Sequence, residues 1–395
     1  MKNPAEAIRE LANQLAVVKA RLNADDCTGR VLADDVVADR DSPAADVSAM
    51  DGYAIRLADL SDQNTVAVTG EAAAGEKPPS MQSDGVVRIF TGAIVPDQCE
   101  AVVKREDTEE SDGSIRFRQS AMQTQAGDNI RRAGENAKGG STVLSAGVRI
   151  TAAHRATMAN FGADRVSVFA PVRVTVITTG DEVGKFDDAA PQPWQLRNSN
   201  QSSIASLLSQ PAWIKHVASV HAVDDREQLA QTLTTALTDS DAVILTGGVS
   251  MGDYDYVPEI VRQVGGEVVF HGLPVRPGKP ILGAATADGK LIVGLPGNPV
   301  SATIGCHRFA MPLLAKMSGQ KNWRSNCPVV HLSNAGSKTI PLHWMRLVRL
   351  IDHGVAEPVQ SLGSGDLVSL GQSTGYVELP PGETGNGPWP YYAWS

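Results

Sequence analysis

Aromatic residues are scarce in this chain of 395 residues, at 5%, which argues against the stacking platforms that single-stranded nucleic acids need. Its four cysteines, Cys27, Cys99, Cys306 and Cys327, are scattered and form no CxxC pair. Reduced thiols fit that spacing better than a disulfide framework or a zinc site. No apolar run approaches the ~18 residues of a membrane span. The opening MKNPAEAIRELANQL is charged throughout and lacks a signal-peptide core. Positive charge is not in excess: the net charge of −9 argues against general binding to nucleic acid or an anionic membrane, though not against a local basic pocket. There is no GxxxxGK[ST] phosphate loop and no HExxH zinc motif. The eight histidines are dispersed, so each reads as a packing or surface residue. These absences lead us to expect a cytoplasmic protein without nucleic-acid or membrane partners.

What remains is ordinary globular material, with 42% hydrophobic and 20% charged residues. The length suggests two to four domains. Ile8, Leu11, Leu15, Val18 and Leu22 recur at three- and four-residue steps, which predicts an amphipathic helix over 4–22 with Pro4 at its start. Val-, Thr- and Gly-rich runs between 65 and 107 predict a small β domain. Thr91 follows the strand-like VVRIF there, and either faces a cleft or sits in a bulge beside a turn. Arg131 and Arg132 either bind phosphate through their guanidinium forks or are simply solvated. Residues 151–161 read as helical again, so the β domain is inserted between helical segments.

At Pro171 the pattern switches to alternating strands and helices. VRVTVITTGDEV is a strand ending in Gly180-Asp181-Glu182. Helices near 199–209, 226–238 and 256–264 alternate with strands near 217–222 and 241–245. This order predicts right-handed crossovers and a parallel sheet. The stretch DAVILTGGVSMGDYDY, 241–256, is a buried strand followed by glycines, Ser250, Asp253 and Asp255. It reads as a polar ligand loop, with a solvated turn as the alternative. The acids at the strand ends, Asp181, Glu182, Asp224, Asp253 and Asp255, are expected in one crevice. Arg276 and Lys279 lie in a Pro/Gly-stiffened loop suited to an oxyanion. The LPGNPVSAT segment is a rigid turn leading into a helix, with Ser301 in its first turn. Residues 328–380 predict a second small β domain, followed by an extended Pro/Gly-rich tail.

Eight segments in order, SAMDGYA, RIFTGAIVP, NIRRAGEN, TTGDEV, TGGVSMGDYDY, RPGKP, LPGNPVSAT and GSGDLVSL, together resemble the MoeA-type molybdopterin molybdenumtransferases, a family that includes the gephyrin E domain. The resemblance implies a multidomain α/β and β fold. An elongated α+β linker domain would take 1–40 and 141–168, and an inserted β domain 41–140. A MogA-like α/β domain with a mostly parallel sheet would take 169–319, and a C-terminal β-barrel-like domain 320–395. The implied reaction inserts molybdate into adenylylated molybdopterin and releases AMP, with Mg²⁺ as the cation. Catalytic positions would be Asp51, Thr91, Glu182 and Asp255, with Glu182, Asp224 and Asp255 on the metal. Gly180, Asp181, Asp224, Gly247, Gly248, Ser250, Pro296, Gly297, Asn298 and Pro299 would bind the molybdopterin. Arg276, Lys279, Ser301, Arg346 and Ser364 would bind molybdate. A homodimer is implied, with a molybdopterin adenylyltransferase and molybdoenzyme-maturation proteins as further partners.

This chain departs from the family pattern in three places. Asn136 replaces an acid, Gly272 replaces a lysine with His271 beside it, and Pro341-Leu342-His343-Trp344 replaces an Arg-x-Glu-Phe pattern. These keep a non-catalytic molybdopterin-binding or assembly paralogue open as an alternative. A remote one is a serine hydrolase, since Gly248-Val249-Ser250-Met251-Gly252 fits G-x-S-x-G with His307 or His343 downstream.

Overall fold

The computed structural model describes residues 2–61, 63–184, 190–249, 256–324 and 327–394. Ser250, Asp253 and Asp255 therefore lie outside the described residues. Contacts divide the chain into two compact units, one of Met1–Asp34, Ala146–Arg155 and Arg165–Ser395, the other of Asp35–Ser145 and Ala156–Asp164.

In the first unit the apolar runs become the strands of a six-stranded sheet. They are β1 (Val172–Thr179), β2 (Ile214–Ala222), β3 (Ala242–Thr246), β4 (Gly266–His271), β5 (Leu282–Thr286) and β6 (Leu291–Leu295). The spatial order is β2-β1-β3-β6-β5-β4. Neighbours from β2 to β6 pair in parallel, whereas β5 and β4 join antiparallel. β3 and β6 are buried at every position, as strands covered on both faces must be.

Alternate residues of one strand feed different cores. Ile244 packs in one with Leu11, Leu208 and Leu313, while Val243 and Leu245 pack in the other with Leu233 and Ile260. The first face is covered by α1 (Pro4–Gln14), α2 (Ser199–Ser209) and a long helical run. That run comprises α5 (Pro299–Gly305), a π-helical turn at Cys306–Ala310 and α6 (Met311–Met317). The second face is covered by α3 (Arg226–Asp239) and α4 (Val257–Gln263).

The helix expected over 4–22 stops at Gln14. Leu15 is already extended, and the amides of Ala16 and Val18 donate to the carbonyls of Gly289 and Met317. Arg21–Ala24 then pairs antiparallel with Val166–Phe169. Apolar spacing continued past the helix, but the backbone of the β-branched Val17-Val18 segment found partners outside it.

The C-terminal part is a closed barrel. Its strands are β7 (Val329–Leu332), β8 (His343–Asp352), β9 (Val355–Pro358), β10 (Gly375–Leu379) and β11 (Trp389–Ala393). Pairings β8–β9, β9–β7, β7–β11, β11–β10 and β10–β8 complete the ring. The tail expected to be merely extended instead supplies β11, without which β7 and β10 would each expose an edge. Short strand Val275–Arg276 joins β8 in parallel at His343 and Trp344, fastening the α/β sheet's loop to the barrel.

The second unit is built on another six-stranded sheet, in the order 101–104, 52–55, 85–89, 65–72, 114–117, 108–111. Gly52 is required in it, because a Cβ there would stand 1.9 Å from the Val103 carbonyl oxygen. The predicted helical return is present as Ala152–Asn160.

Candidate active site

The chain leaves β1 for β2 on one side and then crosses to β3 on the other. The carboxyl ends of β1 and β3 thus form a topological switch point, where open α/β sheets bind ligands. Three glycines shape it. Gly180 (φ 128°) follows β1, and Gly247 (φ 98°) and Gly248 (φ 61°) follow β3, all in the left-handed region. A Cβ on Gly247 would lie 2.4 Å from Thr179 Oγ1. The Pro296-Gly297-Asn298-Pro299 turn after β6 closes the same crevice. Thr246 Oγ1 donates to the Pro296 carbonyl at 3.0 Å, and Asn200 Nδ2 donates to Thr246 Oγ1 at 2.9 Å and to the Gly297 carbonyl at 2.8 Å. Asn200, in the first turn of α2, thereby joins three segments of the crevice. Sequence reasoning passed over it; the Asn-Ser-Asn run opening the helix, with Asn198 as the cap accepting from Gln201 N, was the available signal.

Asp181, Glu182 and Asp224 meet here. The Asp224 amide donates to Asp181 Oδ1 at 3.1 Å. Partial desolvation first, and then the negative charges of Asp181 and Glu182, push the Asp224 carboxyl above its ordinary range. Among the described residues no three His, Cys, Asp or Glu side chains are spaced to hold a metal ion by themselves.

A second cavity, of about 760 Å³, opens between the β4–β5 loop, the start of α5 and the barrel. Arg276, Lys279, Ser301, Arg346 and Ser364 all line it. Residues from four separate stretches of sequence thus face one space. Gly278 (φ 96°) lets the loop pass Ser301, and a Cβ at Gly278 would lie 3.7 Å from the Ser301 carbonyl oxygen. Ser301 is buried in the first turn of α5, and the Val300 amide donates to the Ser364 carbonyl at 3.0 Å. Arg346 reaches in from β8, its guanidinium 4.9 Å from the Trp344 ring centroid and bonded to the Ala335 carbonyl. Burial works against its charge and lowers its pKa. Lys338 and Trp344 line the pocket as well; Trp344 belongs to the stretch noted as departing from the family pattern, whereas nothing in the sequence singled out Lys338. Among the described residues the lining holds four cations, Arg276, Lys279, Lys338 and Arg346, and no carboxylate. Pro296 and Asn298 line it too, so the basic pocket and the acid-lined crevice share one turn.

In the second unit Asp51 Oδ1 accepts from both Thr91 N and Thr91 Oγ1 at 2.8 Å. Those bonds, followed by the charges of Arg105 and Arg88, hold the Asp51 carboxyl below its usual range. Asp51 and Thr91 line a cavity of about 410 Å³ with Met50, Arg105 and Glu106. Thr91 thus faces a cavity. The neighbouring arginines are engaged: Arg131 pairs with Glu135 and donates to Asn136 Oδ1, and Arg132 pairs with Asp46. In the first unit His271 Nε2 bonds the Val249 carbonyl at 2.8 Å. The histidines considered for a hydrolase are committed to the barrel. His307 bonds the Tyr376 hydroxyl at 3.0 Å, and His343 bonds Glu378 at 3.1 Å.

Two family models match the chain. One, described as the MoeA N-terminal region (domain I and II), covers residues 3–162, and the other, a probable molybdopterin binding domain, covers 175–316. The molybdopterin molybdenumtransferase of Haemophilus influenzae is 35% identical over 310 residues, 77% of this chain and 74% of that one. The enzyme of the same name from Nostoc sp. is 31% identical over 96% of this chain and 91% of its own length, and that of Staphylococcus epidermidis 33% identical over 96% and 92%. The crystal structure of the molybdopterin biosynthesis moeA protein from Pyrococcus horikoshii OT3 shares the fold, with a TM-score of 0.81 at 24% identity over 100% of this chain and 97% of that one. Over nearly its whole length, therefore, this chain belongs to the molybdopterin molybdenumtransferase family.

Proposed function

We propose that this chain inserts molybdate into adenylylated molybdopterin and releases AMP. One observation carries the reading: a pocket with four cations and no carboxylate among its described lining residues shares the Pro296–Pro299 turn with an acid-lined crevice at the strand ends. Opposite charge on the two sides of one turn suits two substrates of different kind. Arg276, Lys279 and Arg346, with Ser301 and Ser364, bind the oxygens of molybdate, as cationic forks and hydroxyl donors do for tetrahedral anions. The crevice lined by Gly180, Asp181, Gly247, Gly248 and the Pro296–Pro299 turn binds the adenylylated molybdopterin. Bare glycine amides there donate to phosphate oxygens at close range. The two dithiolene sulfurs displace one oxygen of molybdate, which leaves as water with the two thiol protons, and a water molecule cleaves the phosphoanhydride so that AMP leaves.

The residues present fit a divalent cation held jointly by protein and substrate. Burial first, and then the charges of Asp181 and Glu182, press Asp224 towards its neutral form, and a cation offsets both. Magnesium commonly takes one or two carboxylates plus phosphate oxygens, so no all-protein cage is needed. Glu182 and Asp224 would hold it, together with Asp255, which lies outside the described residues, and it would offset phosphate charge at the breaking bond. Asp51 and Thr91, bonded to each other on the second unit, are proposed as catalytic positions of that unit.

Purified protein given Mg²⁺, molybdate and adenylylated molybdopterin is expected to release AMP with saturable dependence on molybdate. Arg276→Gln is expected to raise the molybdate concentration needed for half-saturation about tenfold, the loss of one charge-assisted contact. Tight molybdopterin binding with no AMP release would instead identify a binding or assembly protein.

A further inference from the structure

We propose that Lys338 is an oxoanion-binding residue of the basic pocket, held at its rim by Trp344; this rests on the reading of the pocket given above. Lys338 belongs to the segment between β7 and β8, and its side chain lines the pocket together with Arg276 and Lys279. Its ammonium stands 5.8 Å from the Trp344 ring centroid, and the Arg346 guanidinium stands 4.9 Å from the same ring. One indole therefore steers two cations towards a single cavity. The attraction of an exposed ammonium for an aromatic face is weak. It orients the lysine without neutralising it.

No carboxylate pairs with Lys338, Arg276 or Lys279 among the described residues. Four like charges around one cavity repel one another, and an anion in the cavity removes that repulsion. The cavity, at about 760 Å³, is in the range that holds a drug-sized ligand, larger than one tetrahedral ion requires. A cation from the separate segment between β7 and β8 then reaches oxygens that Arg276 and Lys279, on the β4–β5 loop, leave free. A lysine suits that task, because a point charge on a flexible stem follows the anion without demanding bidentate geometry. The oxoanion is the molybdate itself or a phosphate of the substrate's phosphoanhydride, for which AMP serves as the probe.

The test is calorimetric titration of the full chain with molybdate and, separately, with AMP, at several salt concentrations. Lys338→Gln is expected to weaken at least one of the two ligands fivefold or more and to flatten the dependence of its affinity on salt. Lys338→Arg is expected to restore most of the affinity, which a merely structural role would not require. Loss in the molybdate arm assigns the residue to the oxometal ion, and loss in the AMP arm assigns it to the phosphate. If Lys338→Gln binds both ligands as wild type does while Arg276→Gln loses molybdate, the role of Lys338 is overturned and the pocket reading stands. If Arg276→Gln also binds molybdate normally, the pocket reading falls too. Unchanged thermal midpoints for the variants separate these outcomes from misfolding.

Discussion

At Gly247 two demands fall on one residue. Its φ of 98° is in the left-handed region, and a Cβ there would meet Thr179 Oγ1 at 2.4 Å. Gly265, with φ 87°, has the same backbone demand but open space around its Cβ position. The pair separates conformational strain from steric exclusion. Strain of this kind costs on the order of 1–3 kcal/mol. Gly247→Ala is expected to lose that and more, because Thr179 must also shift, and to weaken adenylylated molybdopterin binding. Gly265→Ala is expected to lose stability alone. Denaturant midpoints and ligand titrations of the two variants check this, and equal binding losses would show that the crevice does not depend on bare backbone at Gly247.

Elements dock here through a few buried polar contacts as well as through apolar surface. The helical run from Pro299 to Met317 meets the barrel at His307 and Arg308. His307 bonds the Tyr376 hydroxyl, and Arg308 pairs with Glu378 at 2.8 Å, with both partners largely buried. Burial, and then the charge of Arg308, push the His307 pKa down to about 4 from its ordinary 6.5. The sign follows directly. An unfolded chain takes up a proton on this histidine below about pH 6.5, while the folded one refuses it until about pH 4. The docking is therefore at full strength above pH 6.5 and weakens as pH falls between those values. At about 1.4 kcal/mol per unit the loss amounts to about 3 kcal/mol. His307→Gln is expected to flatten this part of the stability profile, read as urea midpoints at pH 7.5 and pH 5. Glu378 also accepts from Tyr392 and bonds His343, so the altered Pro341–Trp344 stretch supplies a partner to this network.

Over the whole molecule, a net charge of −9 coexists with a pocket whose charged lining residues, among those described, are all cations. Bulk charge sets the response to large polyanions, whereas local charge sets the choice of a small one. No helix among the described residues is long and apolar enough to cross a membrane. The homodimer implied by the motif resemblance is proposed for this chain also. Light scattering is expected to return twice the mass of one chain, and a single-chain mass at micromolar concentration would remove the dimer from the account.

Much of the sheet was legible in the residues. The uninterrupted apolar runs at 242–246 and 291–295, the helices between them and the glycines at strand ends are local signals, set by burial on two faces and by backbone conformation. That alternation already implies one edge for the strand ends, and Asp181, Glu182 and Asp224 do meet there. The end of the first helix was not legible, because Leu15, Val18 and Leu22 keep helical spacing while distant carbonyls claim the Ala16 and Val18 amides. Nor did composition or spacing place the tail strand Trp389–Ala393, Lys338 or Trp344. Arg346 and Ser364 were named through motif resemblance alone. Bringing these residues beside Arg276 and Ser301 takes the closing of the barrel and its attachment at Val275–Arg276. Periodicity reports which face of an element is buried; which loops then share a cavity is settled only when the packed elements bring distant segments of chain together.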